Sequence, residues 1–185
     1  MTLKADSNLV KEIMEQFLKD RIIRKKIRYI CTNQIYDWEK WLQFELQHFI
    51  SNLDGVLVSR EIEAFPDGRM LKDRYNMFID IAFKEEKPGN DAYVFLELKC
   101  AKDAQSLING FKKDFAKITS IKHCLLDYKS FWCVGFHLNC NGFNIKKIEG
   151  YVKDWDYGYN EVLKLCDCTT NKCDCVDNKI GFALI

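Results

Sequence analysis

The sequence lacks any apolar run that approaches the ~18 residues needed to span a bilayer. Its first 17 residues show no signal-peptide pattern, because charged side chains interrupt every apolar stretch there. We therefore expect a soluble cytoplasmic protein without membrane contact. An excess of charge of one sign is also missing, since 28 Lys and Arg residues stand against 27 Asp and Glu residues. This balance provides no global attraction to nucleic acid or to an anionic membrane.

The length of 185 residues and the 48% hydrophobic content predict a single domain with a substantial core. Apolar residues at helical spacing indicate one helix in the first ~30 residues. A second helix is predicted from Asp37, in an N-cap position, to about Leu53. Further elements are predicted as strands at 56–65, 76–84 and 92–99, a long helix after Asp103, and a strand at 131–137.

Turn residues and alternating stretches after Asn139 favour a β-rich extension. The predicted domain therefore has a core at about 37–137. A helical extension at 1–36 precedes this core, and the β-rich extension at 139–185 follows it.

Two of the predicted strands carry charges where core residues are expected. They belong to the stretch FIDIAFKEEKPGNDAYVFLELKC, residues 78–100, in which Pro88 and Gly89 mark the turn. Alternate side chains of a strand share one face, so Glu97 and Lys99 point the same way. The midpoint between positions 80 and 97 falls between Pro88 and Gly89. A symmetric hairpin therefore places Asp80 beside Glu97.

Two neighbouring carboxylates repel each other and should destabilise a hairpin by roughly 0.2–1 kcal/mol in water, and by more when they are buried. A cation between them removes this cost. Mg²⁺ and Mn²⁺ suit such a site, because they bind carboxylate and water oxygens and leave coordination positions for phosphate. Such a metal can activate water for attack on a phosphodiester, and Lys99 would orient that water or neutralise the developing charge. The alternative is an ion pair between Asp80 and Lys99 without catalytic purpose.

Asp80, followed by Glu97-Leu98-Lys99 on an adjacent strand and then by a helix and a strand, resembles the PD-(D/E)xK nuclease superfamily. The core of that superfamily is a helix, three strands, a helix and a strand, which is similar to the predicted order from about Asp37 to His137. The sequence departs from the motif at Ile79, which replaces the proline. The resemblance implies an α/β fold with a restriction endonuclease-like three-layer core around a mixed central sheet.

The resemblance also implies that a glutamate on the first core helix faces the metal. Glu45 is the candidate, because it lies at the edge of the apolar stripe of that helix, and Glu39 is the substitute. Asp80, Glu97 and Glu45 would then be the metal ligands. The alternative for Glu45 is a carboxylate that reaches sideways to solvent.

Nucleases of this class often contact the substrate backbone from the helix that follows the third strand. On that predicted helix, Gln105, Lys112 and Lys113 lie off the apolar stripe. They are candidates for substrate binding, and an ordinary solvent-facing surface is the alternative.

The C-terminal part contains the segment CDCTTNKCDC, with Cys166, Cys168, Cys173 and Cys175. Four thiolates can form a structural Zn²⁺ site. However, thiols at positions i and i+2 of an ideal strand lie ~6–7 Å apart, which is too far for one tetrahedral ion unless the chain bends. Reduced thiols without metal are the alternative.

The combined hypothesis is a metal-dependent nuclease that hydrolyses phosphodiester bonds, with DNA as the expected nucleic-acid partner and Mg²⁺ or Mn²⁺ as the cofactor. Cleavage of both strands of a duplex would need two sites, which favours a homodimer. The rival hypothesis is a nuclease-like fold without turnover that serves as a binding, immunity or antitoxin protein.

Overall fold

The structure is a computed structural model that describes residues 2–69, 76–89, 91–166 and 178–185. Within these ranges it is an α/β protein with five helices and one mixed sheet of seven strands. The helices are α1 (Leu3–Lys19), α2 (Arg21–Thr32), α3 (Glu39–Ser51), α4 (Ala104–Thr119) and α5 (Gly142–Val152). The strands are β1 (Val56–Pro66), β2 (Met77–Glu85), β3 (Tyr93–Ala101), β4 (Ile121–Cys124), β5 (Tyr128–His137), β6 (Tyr159–Lys164) and β7 (Lys179–Leu184).

The N-terminal region forms two helices, so the prediction of a single helix is wrong. Asp20 separates them: its Oδ1 accepts hydrogen bonds from the backbone N–H groups of Ile22 at 2.8 Å and Ile23 at 3.0 Å. These bonds satisfy donors that a new helix would otherwise leave without partners. The next helix begins slightly later than predicted, since Trp38 rather than Asp37 precedes its first residue.

The predicted strand positions before residue 139 are confirmed to within a few residues. The sheet order is β4-β1-β2-β3-β5-β7-β6, in which β1, β2 and β3 are antiparallel neighbours and β5 runs parallel to β3. Helix α4 makes the crossover between the two parallel strands. The short strand β4 after α4 was not predicted; it pairs with the outer side of β1.

The region after Asn139 contains the two strands β6 and β7, but it begins with helix α5, which the expectation of a β-rich extension missed. Asn141 starts this helix, because its Oδ1 accepts the N–H of Asn144 at 2.8 Å.

Two groups of helices cover opposite faces of the sheet. On β5, Val134 and Phe136 belong to the core that α1, α2 and α3 close, whereas Cys133 packs with α4 and α5. Alternate residues of a strand point to opposite faces. The helices therefore form two outer layers with the sheet between them. Among the described residues, no helix is long and apolar enough to cross a membrane.

Candidate active site

The two charged strands open where the predicted site residues begin. The ladder between β2 and β3 pairs Phe83 with Val94, Ala82 with Phe95, and Ile81 with Leu96. This is the register expected from the symmetric hairpin, and it brings position 80 next to position 97. Among the described residues, the ladder ends at the pair before them, so the next side chains occupy a gap between the strands.

The carboxylate of Asp80 bridges this gap. Its Oδ2 accepts the backbone N–H of Leu98 on β3 at 2.8 Å. Gln43 of α3 supports the same residue, because its Nε2 donates to the backbone oxygen of Asp80 at 3.0 Å and to Oδ1 at 3.2 Å. Burial raises the pKa of Asp80 above its ordinary value, although the bond from Leu98 and the charge of Lys117 lower it. Asp80 is thus held on both oxygens and positioned by two neighbouring elements.

Glu97 is almost completely buried, with 3% of its surface exposed. Its Oε1 lies 2.5 Å from Nζ of Lys117 on α4, and the same ammonium donates to the backbone oxygen of Phe78 at 2.5 Å. Burial and the nearby Asp80 raise the pKa of Glu97 to about 8, although Lys117 acts in the opposite direction. Loss of hydration and a like charge both disfavour the ionised carboxylate.

Lys99 lies between two carboxylates that the sequence motif does not contain. Its Nζ is 3.3 Å from Glu39 of α3 and 3.8 Å from Oδ2 of Asp114 on α4. Burial lowers the pKa of Lys99, but Asp114 and Glu39 outweigh this effect, so the pKa lies above its usual value. Glu39 also accepts the backbone N–H of Cys100 at 3.2 Å. Lys99 therefore remains an ammonium ion at neutral pH.

Gly110 provides the room for Lys99 beside α4. A Cβ at this position would lie 2.7 Å from Cγ and 2.8 Å from Cδ of Lys99. The absence of a side chain at Gly110 thus allows the lysine to pass close to the helix.

Asp114 is buried and only partly satisfied. Burial raises its pKa to about 6, against the effects of Lys99 and Lys117. Within the described part of the chain, its Oδ2 accepts no hydrogen bond. The long 3.8 Å ion pair with Lys99 is its nearest charge contact in that part. A buried carboxylate oxygen in this state can accept a further donor or a cation.

These side chains surround one surface cavity of about 650 Å³. Asp80, Glu97 and Lys99 line it together, as the sequence predicted. The other charged side chains in its wall are Glu39, Lys40, Lys113, Asp114 and Lys117. Acidic groups therefore lie beside the gap in the sheet, and several lysines accompany them in the same wall.

A strained backbone position lies next to this site. Glu61 on β1 has φ of +53°, although it is not a glycine. The pairs Arg60–Ile81 and Ile62–Ile79 place it opposite Asp80. Left-handed backbone of this kind costs on the order of 1–2 kcal/mol for an ordinary residue, and strained positions cluster at functional sites. The side chain of Glu61 pairs with Lys40 at 2.5 Å, at the edge of the cavity.

Glu45 does not belong to this cavity, and the expectation that it completes the metal site is not met. Its carboxylate accepts Nε1 of Trp41 at 3.1 Å and forms an ion pair with Lys26 of α2. Successive residues of a helix are about 100° apart, so Glu45 points about 200° away from Gln43, which contacts Asp80. The substitute Glu39 is the helix glutamate that reaches the site.

The candidates for substrate binding on α4 divide in the same way. Lys113 lines the cavity. Gln105 donates to Asn109 at 2.9 Å, and Nζ of Lys112 lies 6.0 Å from the ring centre of Tyr151. Neither residue lines this cavity.

The predicted zinc site at the C-terminal cysteines falls mostly outside the described residues. Cys166 is buried, whereas Cys168, Cys173 and Cys175 lie outside the described ranges.

The donor set fits a divalent cation for which the protein supplies only some of the ligands. Among the described residues, no group of three or more His, Cys, Asp and Glu side chains is placed to hold a metal ion. Mg²⁺, however, is commonly bound through one or two carboxylates, with waters and substrate phosphates as the remaining ligands. Asp80 and Glu97 supply two such carboxylates. Burial raises the pKa of Glu97 most, and a cation would relieve the repulsion from Asp80 that raises it further.

Three residues that sequence reasoning did not assign to the site are essential to this geometry: Gln43, Asp114 and Lys117. Asp114 had a visible signal, because it follows Phe111 by three residues and precedes Ile118 by four, within the buried stripe of α4. A charged residue at such a position needs a partner. Gln43 had a similar signal, because it precedes Leu46 by three residues and Ile50 by seven within the buried stripe of α3, whereas Lys117 carried none.

Comparisons of the chain with protein-family models, with curated proteins and with solved structures find no match.

Proposed function

We propose that this protein is a divalent-metal-dependent nuclease that hydrolyses phosphodiester bonds, with DNA as its substrate. The observation that carries the proposal is the convergence of Asp80, Glu97 and Lys99 on one cavity, at the point where β2 and β3 separate. A purely structural ion pair would not require two desolvated carboxyl groups to line the same open cavity.

Each residue of the site would have its own role in hydrolysis. Asp80 and Glu97 would hold the metal ion, which supplies Lewis-acid activation of a phosphoryl oxygen and of a water molecule. Lys99 stays protonated, so it acts as a fixed positive charge toward the pentacovalent phosphorus rather than as a general base. Glu39 and Asp114 hold its ammonium group in place. Lys40 and Lys113 lie in the same cavity and can contact phosphate groups.

The order of elements supports the same proposal. The segment from α3 to β5 contains a helix, three antiparallel strands, a helix, and a strand parallel to the third, with only the short strand β4 added. The motif Asp80…Glu97-Leu98-Lys99 lies on the second and third of these strands. Both features agree with the PD-(D/E)xK superfamily, which we take as the class of this nuclease.

Incubation of the purified protein with plasmid DNA, single-stranded DNA and RNA tests the proposal, with Mg²⁺, Mn²⁺ or EDTA in parallel. We expect metal-dependent cleavage of DNA that disappears in Lys99→Ala. Lys146→Ala, on the exposed side of α5, is the matched control and should retain full activity. Cleavage that persists in Lys99→Ala would indicate a contaminating nuclease, and no cleavage of any substrate would refute the proposal.

One observation favours the rival function of a binding protein without turnover. The ammonium of Lys117 already contacts Glu97, so this buried carboxyl group has a partner without a metal. In a binding protein this arrangement would be permanent. Calorimetric titration with Mg²⁺ and with Mn²⁺ separates the two functions, because only the nuclease requires that one of these ions is bound.

A further inference from the structure

Lys117 occupies an unusual place in the cavity. Its Nζ contacts two acceptors that belong to different strands, Oε1 of Glu97 on β3 and the backbone oxygen of Phe78 on β2, each at 2.5 Å. The ammonium therefore spans the gap between these strands. Its side chain is 17% exposed, so the group lies at the inner wall of the cavity and keeps access to it.

This position coincides with the one that the proposed metal site leaves for a cation. Glu97 is one of the two proposed ligands, and its buried Oε1 already has a positive partner at contact distance. An ammonium and a divalent ion cannot both hold the same oxygen at such distances without strong repulsion. Binding of a metal through this oxygen must therefore change the position of Lys117.

We propose that the ammonium of Lys117 is the resident partner of Glu97 and that a divalent ion displaces it from this carboxyl group. The inference rests on the metal site of the proposed function. The lysine donates to Glu97 while no metal is bound, and it moves into the cavity when the ion takes over. The four-carbon chain of lysine permits this movement, and the cavity beside it has a volume of about 650 Å³.

The second lysine of the site serves as a contrast. Lys99 contacts Glu39 and Asp114, which are not the proposed metal ligands. Uptake of a metal by Asp80 and Glu97 therefore leaves the partners of Lys99 in place. Of these two lysines, only Lys117 competes directly with the ion.

The displaced ammonium would remain near the phosphate-binding region. Lys113 lies one helical turn before Lys117 on α4 and lines the same cavity. After the exchange, both lysines would face the space in which a phosphodiester must lie. Metal uptake would thus add a positive charge to the surface that meets the substrate.

Direct measurement of Mn²⁺ binding in the absence of nucleic acid tests the exchange. Electron paramagnetic resonance of free Mn²⁺ would give the dissociation constants of the wild type, of Lys117→Met and of Lys113→Met. Removal of the competing ammonium should tighten binding by about tenfold or more in Lys117→Met. The matched variant Lys113→Met removes a charge from the same cavity but no contact with Glu97, and we expect a change of less than roughly threefold.

The outcomes separate this inference from the proposed function. Equal affinities in Lys117→Met and Lys113→Met, with measurable binding in the wild type, would overturn the exchange but leave the metal site intact. An absence of Mn²⁺ binding in the wild type and in Lys117→Met would overturn both. Tight binding that appears only in Lys117→Met would support the exchange.

A measurement on the wild-type protein keeps the test decisive if Lys117→Met does not fold. The side-chain ammonium signal of Lys117 in NMR spectra, assigned through its loss in Lys117→Gln, should shift when Mg²⁺ is added. A signal that Mg²⁺ leaves unchanged, under conditions in which the ion is bound, would refute the displacement.

Discussion

Replacement of Glu97 by glutamine should change how the stability of the metal-free protein depends on pH. The folded protein holds the pKa of Glu97 at about 8, whereas the ordinary value is 4.5. The folded state therefore binds a proton that the unfolded state has already released. A raised carboxyl pKa of this kind makes folding most favourable below pH 4.5, and the stability is lost as the pH rises toward 8.

The size of the effect follows from these two values. Each unit of pKa difference corresponds to about 1.4 kcal/mol. Between about pH 5 and about pH 7.5, the wild type should lose roughly 3 kcal/mol of unfolding free energy relative to Glu97→Gln. Asp114 acts in the same direction, and His137, whose pKa burial lowers, acts in the opposite one. Both residues are present in the two proteins, so their contributions largely cancel in the comparison.

Urea unfolding in EDTA at the two pH values measures this difference. Glu86→Gln, at an exposed position of the turn between β2 and β3, is the control and should follow the wild type at both values. Addition of Mg²⁺ should flatten the pH dependence of the wild type only, because a bound cation favours the ionised carboxylate. A gap between wild type and Glu97→Gln that stays constant with pH would refute the assigned environment of Glu97.

Two further predictions concern the neighbours of the motif. Gly110→Ala should reduce metal-dependent cleavage about tenfold or more, because the new Cβ would displace the Lys99 side chain from its place beside α4; Gly150→Ala, where a Cβ meets no atom within 4 Å, should leave the cleavage rate unchanged. Glu39→Gln should impair cleavage by at least as much, because Glu39 contacts Lys99. Glu45→Gln should retain the wild-type rate, because Glu45 instead pairs with Lys26. Initial rates on plasmid DNA check both, and a larger loss in Glu45→Gln than in Glu39→Gln would contradict the site geometry.

The hairpin could be predicted from the sequence because its signals are local. Alternating side chains and the Pro88-Gly89 turn define the two strands and their register, which the pair Ile81–Leu96 confirms. The predicted convergence of Asp80 and Glu97 follows from that register alone.

The N-terminal break and helix α5 were harder to predict for physical reasons. Apolar positions at helical spacing continue across Asp20, and an aspartate in such a run can equally be an ordinary surface residue. Only the backbone bonds to Ile22 and Ile23 show that it starts a new helix. In α5, a mixed composition with few strongly periodic positions hid the helix that packs against α4.

The contacts that Glu39 and Lys117 make with the motif residues depend on how α3 and α4 are placed against the sheet. Glu39 and Glu45 lie on the same helix about 120° apart around its axis, so the choice between them depends on the rotation of α3. Similarly, Lys117 reaches Glu97 only because α4 crosses beside β3. Such contacts join residues that are distant in sequence, and a local pattern contains no information about them.

The bond between Asp80 and the backbone of Leu98 has a practical consequence for work on substrate complexes. Removal of the Asp80 carboxylate would eliminate a proposed metal ligand and, at the same time, a hydrogen bond that joins two strands. Such a variant could lose activity because its sheet has loosened. A trapped complex is therefore better sought with a substitution at Lys99, whose side chain donates no hydrogen bond to β2 within the described part of the chain.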